Sequence, residues 1–184
     1  MTDSQQFEVF MKNYQNMVFS TAMRLTANAA EAEDISQEVF LKAYERFAEL
    51  KESATAGGWL KTVATNLSLN HLSRYRSRWT FFSDLFGGAG EGEENAAVEI
   101  AGPQNIEEDL ARADRHEIVE QALGQLPAAQ RVPLVLYHLE GLTYEEIAAK
   151  LKVSLGKVKT DIFRGREALR KKLRLRLTPE ETMA

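Results

Sequence analysis

Apolar residues recur at helical spacing along most of this chain. Phe7, Phe10, Met11, Tyr14, Val18 and Leu25, with Thr21 among them, follow a 3.6-residue period and predict a first helix. Ile35, Val39, Ala43 and Phe47 form a stripe with Phe40 and Tyr44 beside it, which predicts a second helix over about Ala32–Leu50. Leu60, Val63, Ala64, Leu67 and His71 place a third over about Gly58–Tyr75. No segment sustains a period of two, so the expected fold class is all-α, without strands.

The texture then changes. The stretch "GGAGEGEENAAVEIAGPQN" is rich in glycine and acid and carries too little apolar surface to fold alone. Residues 83–109 therefore read as a flexible acidic linker between two small helical domains, 1–82 and 110–177, with 178–184 as a tail. In the second domain Ile118, Val119, Ala122, Leu123 and Leu126 mark one helix, and Pro127 suits the first turn of the next. Pro133 conflicts with that helix and predicts a kink or a later start. Gly141 ends the segment.

The stretch "LTYEEIAAKLKVSLGKVKTDIFRGREALRKKL" holds two further helices and a turn. Thr143 and Glu146 spell a capping box, and Ile147, Ala148 and Leu151 give a short helix its buried edge. Ser154 is positioned to cap the helix that follows. There Val158, Ile162, Gly165 and Leu169 share one side, while Lys157, Thr160, Asp161 and Arg164 share another. This is the layout of a helix-turn-helix, in which the second helix offers its polar stripe to a major groove. Arginine pairs with guanine and aspartate accepts from cytosine N4, whereas Lys150, Lys152 and Lys159 are placed for phosphate. The plainer reading is a helical hairpin with a basic exterior.

Charge sharpens the choice. The formal net charge of −4 conceals a strong segregation. Residues 53–83 hold no acid, residues 84–109 hold eight acids and no base, and residues 150–176 hold eleven bases against two acids. Two basic segments around an acidic one favour a polyanion as partner. In the first of them Thr62, Asn66, Asn70, Ser73 and Arg74 lie opposite or beside the buried stripe, and Asn side chains carry both donor and acceptor for a base edge. Beyond Tyr75, Arg76 and Arg78 interleave with Trp79, Phe81 and Phe82, a pattern that suits unpaired strands. Trp59 fits either a stacking platform or a core position. One half of the chain thus suits duplex DNA and the other opened strands.

Other classes recede. The chain has no cysteine, which removes disulfides and thiolate zinc sites. His71, His116 and His138 lack metal-ligand spacing, and no phosphate-cradling glycine loop or nucleophile elbow is present, so no enzyme, cofactor or metal is expected. No apolar run is long enough to cross a membrane and the start lacks a signal peptide's regions, so a cytoplasmic protein is expected.

Three motifs together resemble the extracytoplasmic-function (ECF) sigma factors of the sigma-70 family, over about Phe7–Leu173. "AEDISQEVFLKAYERF" is similar to the family's clamp-docking helix, "WLKTVATNLSLNHLSRYRSR" to its −10 element segment, and "LPAAQRVPLVLYHLEGLTYEEIAAKLKVSLGKVKTDIFRGREAL" to the region that reads the −35 element. The resemblance implies that Asp34, Gln37, Glu38, Phe40 and Leu41 meet RNA polymerase core. It assigns Trp59, Asn66, Asn70, Arg74, Arg76 and Arg78 to the −10 element, and Lys157, Lys159, Thr160, Asp161 and Arg164 to the −35 element of promoter DNA. It implies that the acidic linker imitates nucleic acid inside polymerase, and that a separate anti-sigma factor exerts control. Two positions depart from the family pattern: Asp161, where Arg or another polar residue is commoner, and the small residues of "ATAGGWL" before Trp59. The alternative reading is a stand-alone helix-turn-helix transcriptional regulator, which has no use for the aromatic-basic segment after Trp59.

Overall fold

The computed structural model describes residues 1–86 and 107–177, with side chains described through Arg74 in the first part and, in the second, for Arg112 and from Asp114 to Arg176. Eight helices and no strand occur among the described residues. The chain forms two compact units, Met1–Leu85 and Phe86–Ala184.

In the first unit, α1 runs Asp3–Thr26, α2 Ala29–Glu45, α3 Phe47–Leu50 and α4 Ala56–Phe86. Thr2 opens α1 with a capping box: its hydroxyl accepts from the Gln5 N–H, and the Gln5 amide oxygen accepts from the Thr2 N–H. Ala27 turns left-handed at φ 53° and Asn28 then caps α2, so α1 and α2 are joined by two residues. The core takes Val18 and Ala22 from α1, Ala32, Ile35, Val39, Phe40 and Ala43 from α2, Leu50 from α3, and Ala56, Leu60 and Ala64 from α4.

The expected second helix is broken at Arg46, whose φ of −113° lies outside the helical range. Past the break Phe47 stays buried, as its place in the stripe predicts, and its ring meets Phe7 and Phe10 edge-on at 5.1 and 5.5 Å. The small residues before Trp59 also find a reason. A Cβ added at Gly57 lies 3.1 Å from Cε1 of Tyr14, so the start of α4 rests directly on that ring. The third helix is longer than the periodicity predicts, reaching Phe86, and α5 begins at Glu107. Both ends of the expected linker are thus helical, and residues 87–106 lie outside the described part.

In the second unit, α5 runs Glu107–Gly124, α6 Ala128–His138, α7 Tyr144–Leu151 and α8 Leu155–Leu177. Pro127 is the N-cap of α6 and Pro133 sits inside it, so the later start does not occur. The proline gives up the amide that would reach Ala129, and the helix absorbs that loss because Pro133 is buried among Val132, Leu134, Val135 and Leu136. Arg131, also buried, donates to the Leu126 carbonyl at 2.8 Å and ties α6 to the preceding turn. Thr143 and Glu146 complete their capping box, Lys152 turns left-handed at φ 55°, and the Lys157 N–H donates to Ser154 Oγ at 3.1 Å.

Val158 and Ile162 of α8 are fully buried, and Gly165 completes that side. A Cβ built on Gly165 lies 3.1 Å from the Gln130 carbonyl oxygen, so α8 and α6 approach as closely as a glycine allows. Gly165→Val is expected to destabilise the second unit by about 1–3 kcal/mol through overpacking. Gly156→Ala, which meets nothing within 4 Å, is expected to cause no loss. Denaturant unfolding of the full-length chain checks both.

Candidate nucleic-acid interface

The first unit carries two different outer faces. On α2, Asp34, Gln37, Glu38 and Leu41 are exposed, Leu41 to 67%. Tyr44, one turn on, is exposed to 58% and braced edge-on against Phe7 at 5.0 Å. The expected partner-facing set therefore gains Tyr44 and divides at Phe40, which is 7% exposed and belongs to the core. Its neighbour in sequence, Leu41, carries the outward apolar surface. The periodicity left Phe40 and Tyr44 together at the edge of the stripe, and packing separates them.

On α4, Thr62, Asn66, Asn70, Ser73 and Arg74 are all exposed, while Leu60, Ala64 and Ser68 are fully buried behind them. Ser68 turns its hydroxyl back to the Ala64 carbonyl, so no polar group is wasted in the core. Trp59 is half-buried against the core with the Arg46 guanidinium 5.8 Å from its ring centroid. It is thus partly a packing residue, with one cation lying over it. The side chains of Arg76 and Arg78 lie outside the described residues. The α2 and α4 faces adjoin along an open groove lined by Glu38, Lys42, Asn70, His71 and Arg74, across which His71 Nε2 and Glu31 Oε1 approach to 3.1 Å.

In the second unit, Lys157, Lys159 and Arg164 are exposed on α8 and Thr160 is half-buried. Asp161 differs from its neighbours. It is 8% exposed, and its Oδ2 accepts from Lys157 Nζ at 2.7 Å. That contact holds the Lys157 ammonium against the Asp161 carboxylate. Phe163, absent from the expected set, is half-exposed on the same helix. The signal for it was its place three residues after Thr160 and four after Lys159. Together these residues offer cations for phosphate or guanine, a hydroxyl for either kind of base edge, and an apolar ring of the sort that packs on a thymine methyl.

Beside this surface, α6, α7 and α8 meet at four side chains, of which His138 is exposed and the other three are half-buried. Arg166 donates from Nε to His138 Nε2 at 3.0 Å, and its guanidinium lies 5.6 Å from the Tyr137 ring centroid. Tyr137 stacks on Tyr144 at 4.7 Å. Burial first, and then the Arg166 charge, pull the His138 pKa below its ordinary value. Burial first, and then the hydrogen bond with Tyr137, push the Tyr144 phenol up.

Among the described residues, no cluster of His, Cys, Asp or Glu is arranged to hold a metal, and no helix is long and apolar enough to cross a membrane.

A double-mutant cycle on Lys157→Ala and Asp161→Ala is expected to return a coupling of about 0.5–1 kcal/mol that shrinks with added salt, because half of the lysine side chain is in solvent. Unfolding free energies at low and high ionic strength provide the measurement.

Residues 10–78 match the family model for Sigma-70 region 2, and residues 116–169 match that for Sigma-70, region 4. The RNA polymerase sigma-H factor of Pseudomonas aeruginosa is 33% identical over 93% of this chain and 88% of its own. The ECF RNA polymerase sigma factor SigW of Bacillus subtilis is 30% identical over 94% and 91%, and the ECF RNA polymerase sigma-E factor of Escherichia coli 31% identical over 93% and 88%. A solved structure of the sigma factor RpoE from Bartonella quintana, in complex with the anti-sigma factor NepR, aligns over 92% of this chain and 97% of that one at 24% identity and a TM-score of 0.48. With both regions matched in order and full-length relatives above 30% identity, the chain belongs to the sigma-70 family, as one of its ECF sigma factors.

Proposed function

We propose that this sigma factor divides its work by helix face, as a non-catalytic subunit that brings RNA polymerase core to promoters and helps open them. The exposed edge of α2, with Asp34, Gln37, Glu38, Leu41 and Tyr44, docks on core. Leu41 and Tyr44 supply the apolar anchor that an interface centre needs, and the carboxylates orient it against a basic partner. A separate anti-sigma factor has this same surface to cover in order to keep polymerase away.

The outer face of α4 captures the −10 element. The observation that carries this reading is the α4 face itself: Asn66, Asn70 and Arg74 stand exposed on one side of a helix whose opposite side is sealed in the core. Such side chains suit bases that have left the duplex, whose edges are open to hydrogen bonding. The reading surface of α8 takes the −35 element as duplex, with Lys157 and Arg164 toward base edges and Lys159 toward phosphate. Asp161 contributes by aiming Lys157. The stand-alone regulator reading has no role for either face of the first unit.

Run-off transcription and fluorescence of a probe base in the −10 element test this with core polymerase present. Asn66→Ala with Arg74→Ala is expected to slow promoter opening by about tenfold or more while holoenzyme still binds the duplex. Intact opening in that variant sinks the assignment. Lys159→Ala is expected to weaken promoter binding evenly across sequences and to lower the salt slope by about 1.

A further inference from the structure

The second unit has to hold α8 at a fixed seat if its N-terminal half is to meet base edges. Val158 and Ile162 give that seat its apolar part, and Gly165 sets its depth against α6. Apolar contact is non-directional, so it leaves rotation of α8 about its own axis weakly defined. Directional contacts come from the next residue along. Arg166 reaches the last residue of α6 through His138 and lies over Tyr137, whose ring in turn stacks on Tyr144, the first residue of α7. One side chain of α8 is thereby bound to two of the three helices packed against it, α6 and α7, while Arg176 reaches the third by donating to Gln121 Oε1 of α5 at 2.8 Å.

We propose that Arg166 is a positioning residue for −35 reading, that it seats α8 on α6 and α7 through a neutral His138, and that the seat is released when His138 takes up a proton.

The chemistry runs in one direction. Arginine stays protonated at any working pH and offers only donors. His138 Nε2 must therefore accept, which places the single ring proton of the neutral imidazole on Nδ1. A second proton goes onto Nε2 itself. It removes the acceptor and sets two cations about 3 Å apart, so the Arg166–His138 contact breaks and the seat loses its link to the end of α6. The charged and titratable groups near His138 are Arg166, a like charge, the phenols of Tyr137 and Tyr144, and Glu140, two residues on in the connecting turn. Burial and the Arg166 charge both disfavour the imidazolium. The His138 pKa is thus lower folded than unfolded. Stability from the neutral form is full above the unfolded value, about 6.5, and is lost as pH falls through the lower folded value. Release of α8 then belongs on the acid side of neutrality.

This inference rests on α8 reading the −35 element, and the two separate experimentally. Holoenzyme is first used to select active promoters from a randomised template library at pH 8. If no −35 preference emerges, the reading of α8 fails. If one emerges, transcription from the selected −35 element is compared with a scrambled one at pH 8 and pH 5.5, with a promoter dependent on an unrelated sigma factor as control for polymerase. The wild-type ratio is expected to fall at pH 5.5 and to return when the same sample is brought back to pH 8. His138→Gln, whose Oε1 accepts from Arg166 and does not titrate, is expected to keep most of the ratio at both pH values, and Arg166→Leu to lose it at both. Equal pH dependence in the wild type and His138→Gln, or a full ratio in Arg166→Leu, overturns the proposal. Circular dichroism establishes that each variant is folded. Independently of polymerase, the His138 imidazole resonance of the full-length protein is titrated by NMR. Its midpoint is expected to rise in Arg166→Leu, and an unmoved midpoint overturns the proposal as well.

Discussion

Val158 and Ile162 are buried one turn apart on α8, and the rest of the second unit is arranged around keeping them so. With those two positions inside, the 3.6-residue period turns Lys157, Lys159 and Arg164 outward. With Gly165 against the Gln130 carbonyl, α6 and α8 come so close that a side chain there would require the neighbouring backbone to give by a few tenths of an ångström. The short α7 then has its own place set by Ile147, the capping box at Thr143 and the left-handed turn at Lys152. The reading surface is therefore a by-product of core packing. Nothing on it has to be specified separately except the identities of the outward residues and the contacts that stop the helix from rolling.

The first unit applies the same constraint to a different end. Four helices share one core, and α2 and α4 each leave a second stripe outside. The stripe left by α2 ends in exposed Leu41 and Tyr44, and the stripe left by α4 in amides and a guanidinium. Because both are fixed by one core, a partner bound to α2 holds α4 at a set distance from whatever that partner carries.

Much of this was legible from spacing alone. The stripes Ile35–Val39–Ala43 and Leu60–Ala64 went inside as their period requires, and Thr143, Ser154 and Gly165 acted as their chemistry predicts, because capping and close approach are local properties. What spacing did not resolve depends on neighbours distant in sequence. The break at Arg46 lies beside the ring cluster of Phe7, Phe10 and Phe47, and Tyr44 stays exposed while its ring rests edge-on against Phe7 of α1, next to a buried Phe40. Asp161 reads as a base-contacting group by position, yet its burial beneath Lys157 is a property of how α8 sits. The place of Pro133 inside α6 has the same origin: tertiary burial outweighs the loss of one backbone hydrogen bond.

The closeness of α8 to α6 has one more consequence, which is mechanical. Contact at a glycine is a fulcrum, since there is no side chain to spread the load. Lys157 stands eight residues from Gly165, a lever arm of about 12 Å at the rise of an α-helix. A tilt of about 5° at the fulcrum sweeps the lysine's backbone through roughly 1 Å, enough to move a hydrogen bond out of its working range. Substitutions distant from the basic face of α8, wherever they rock this helix, therefore shift that face without touching it.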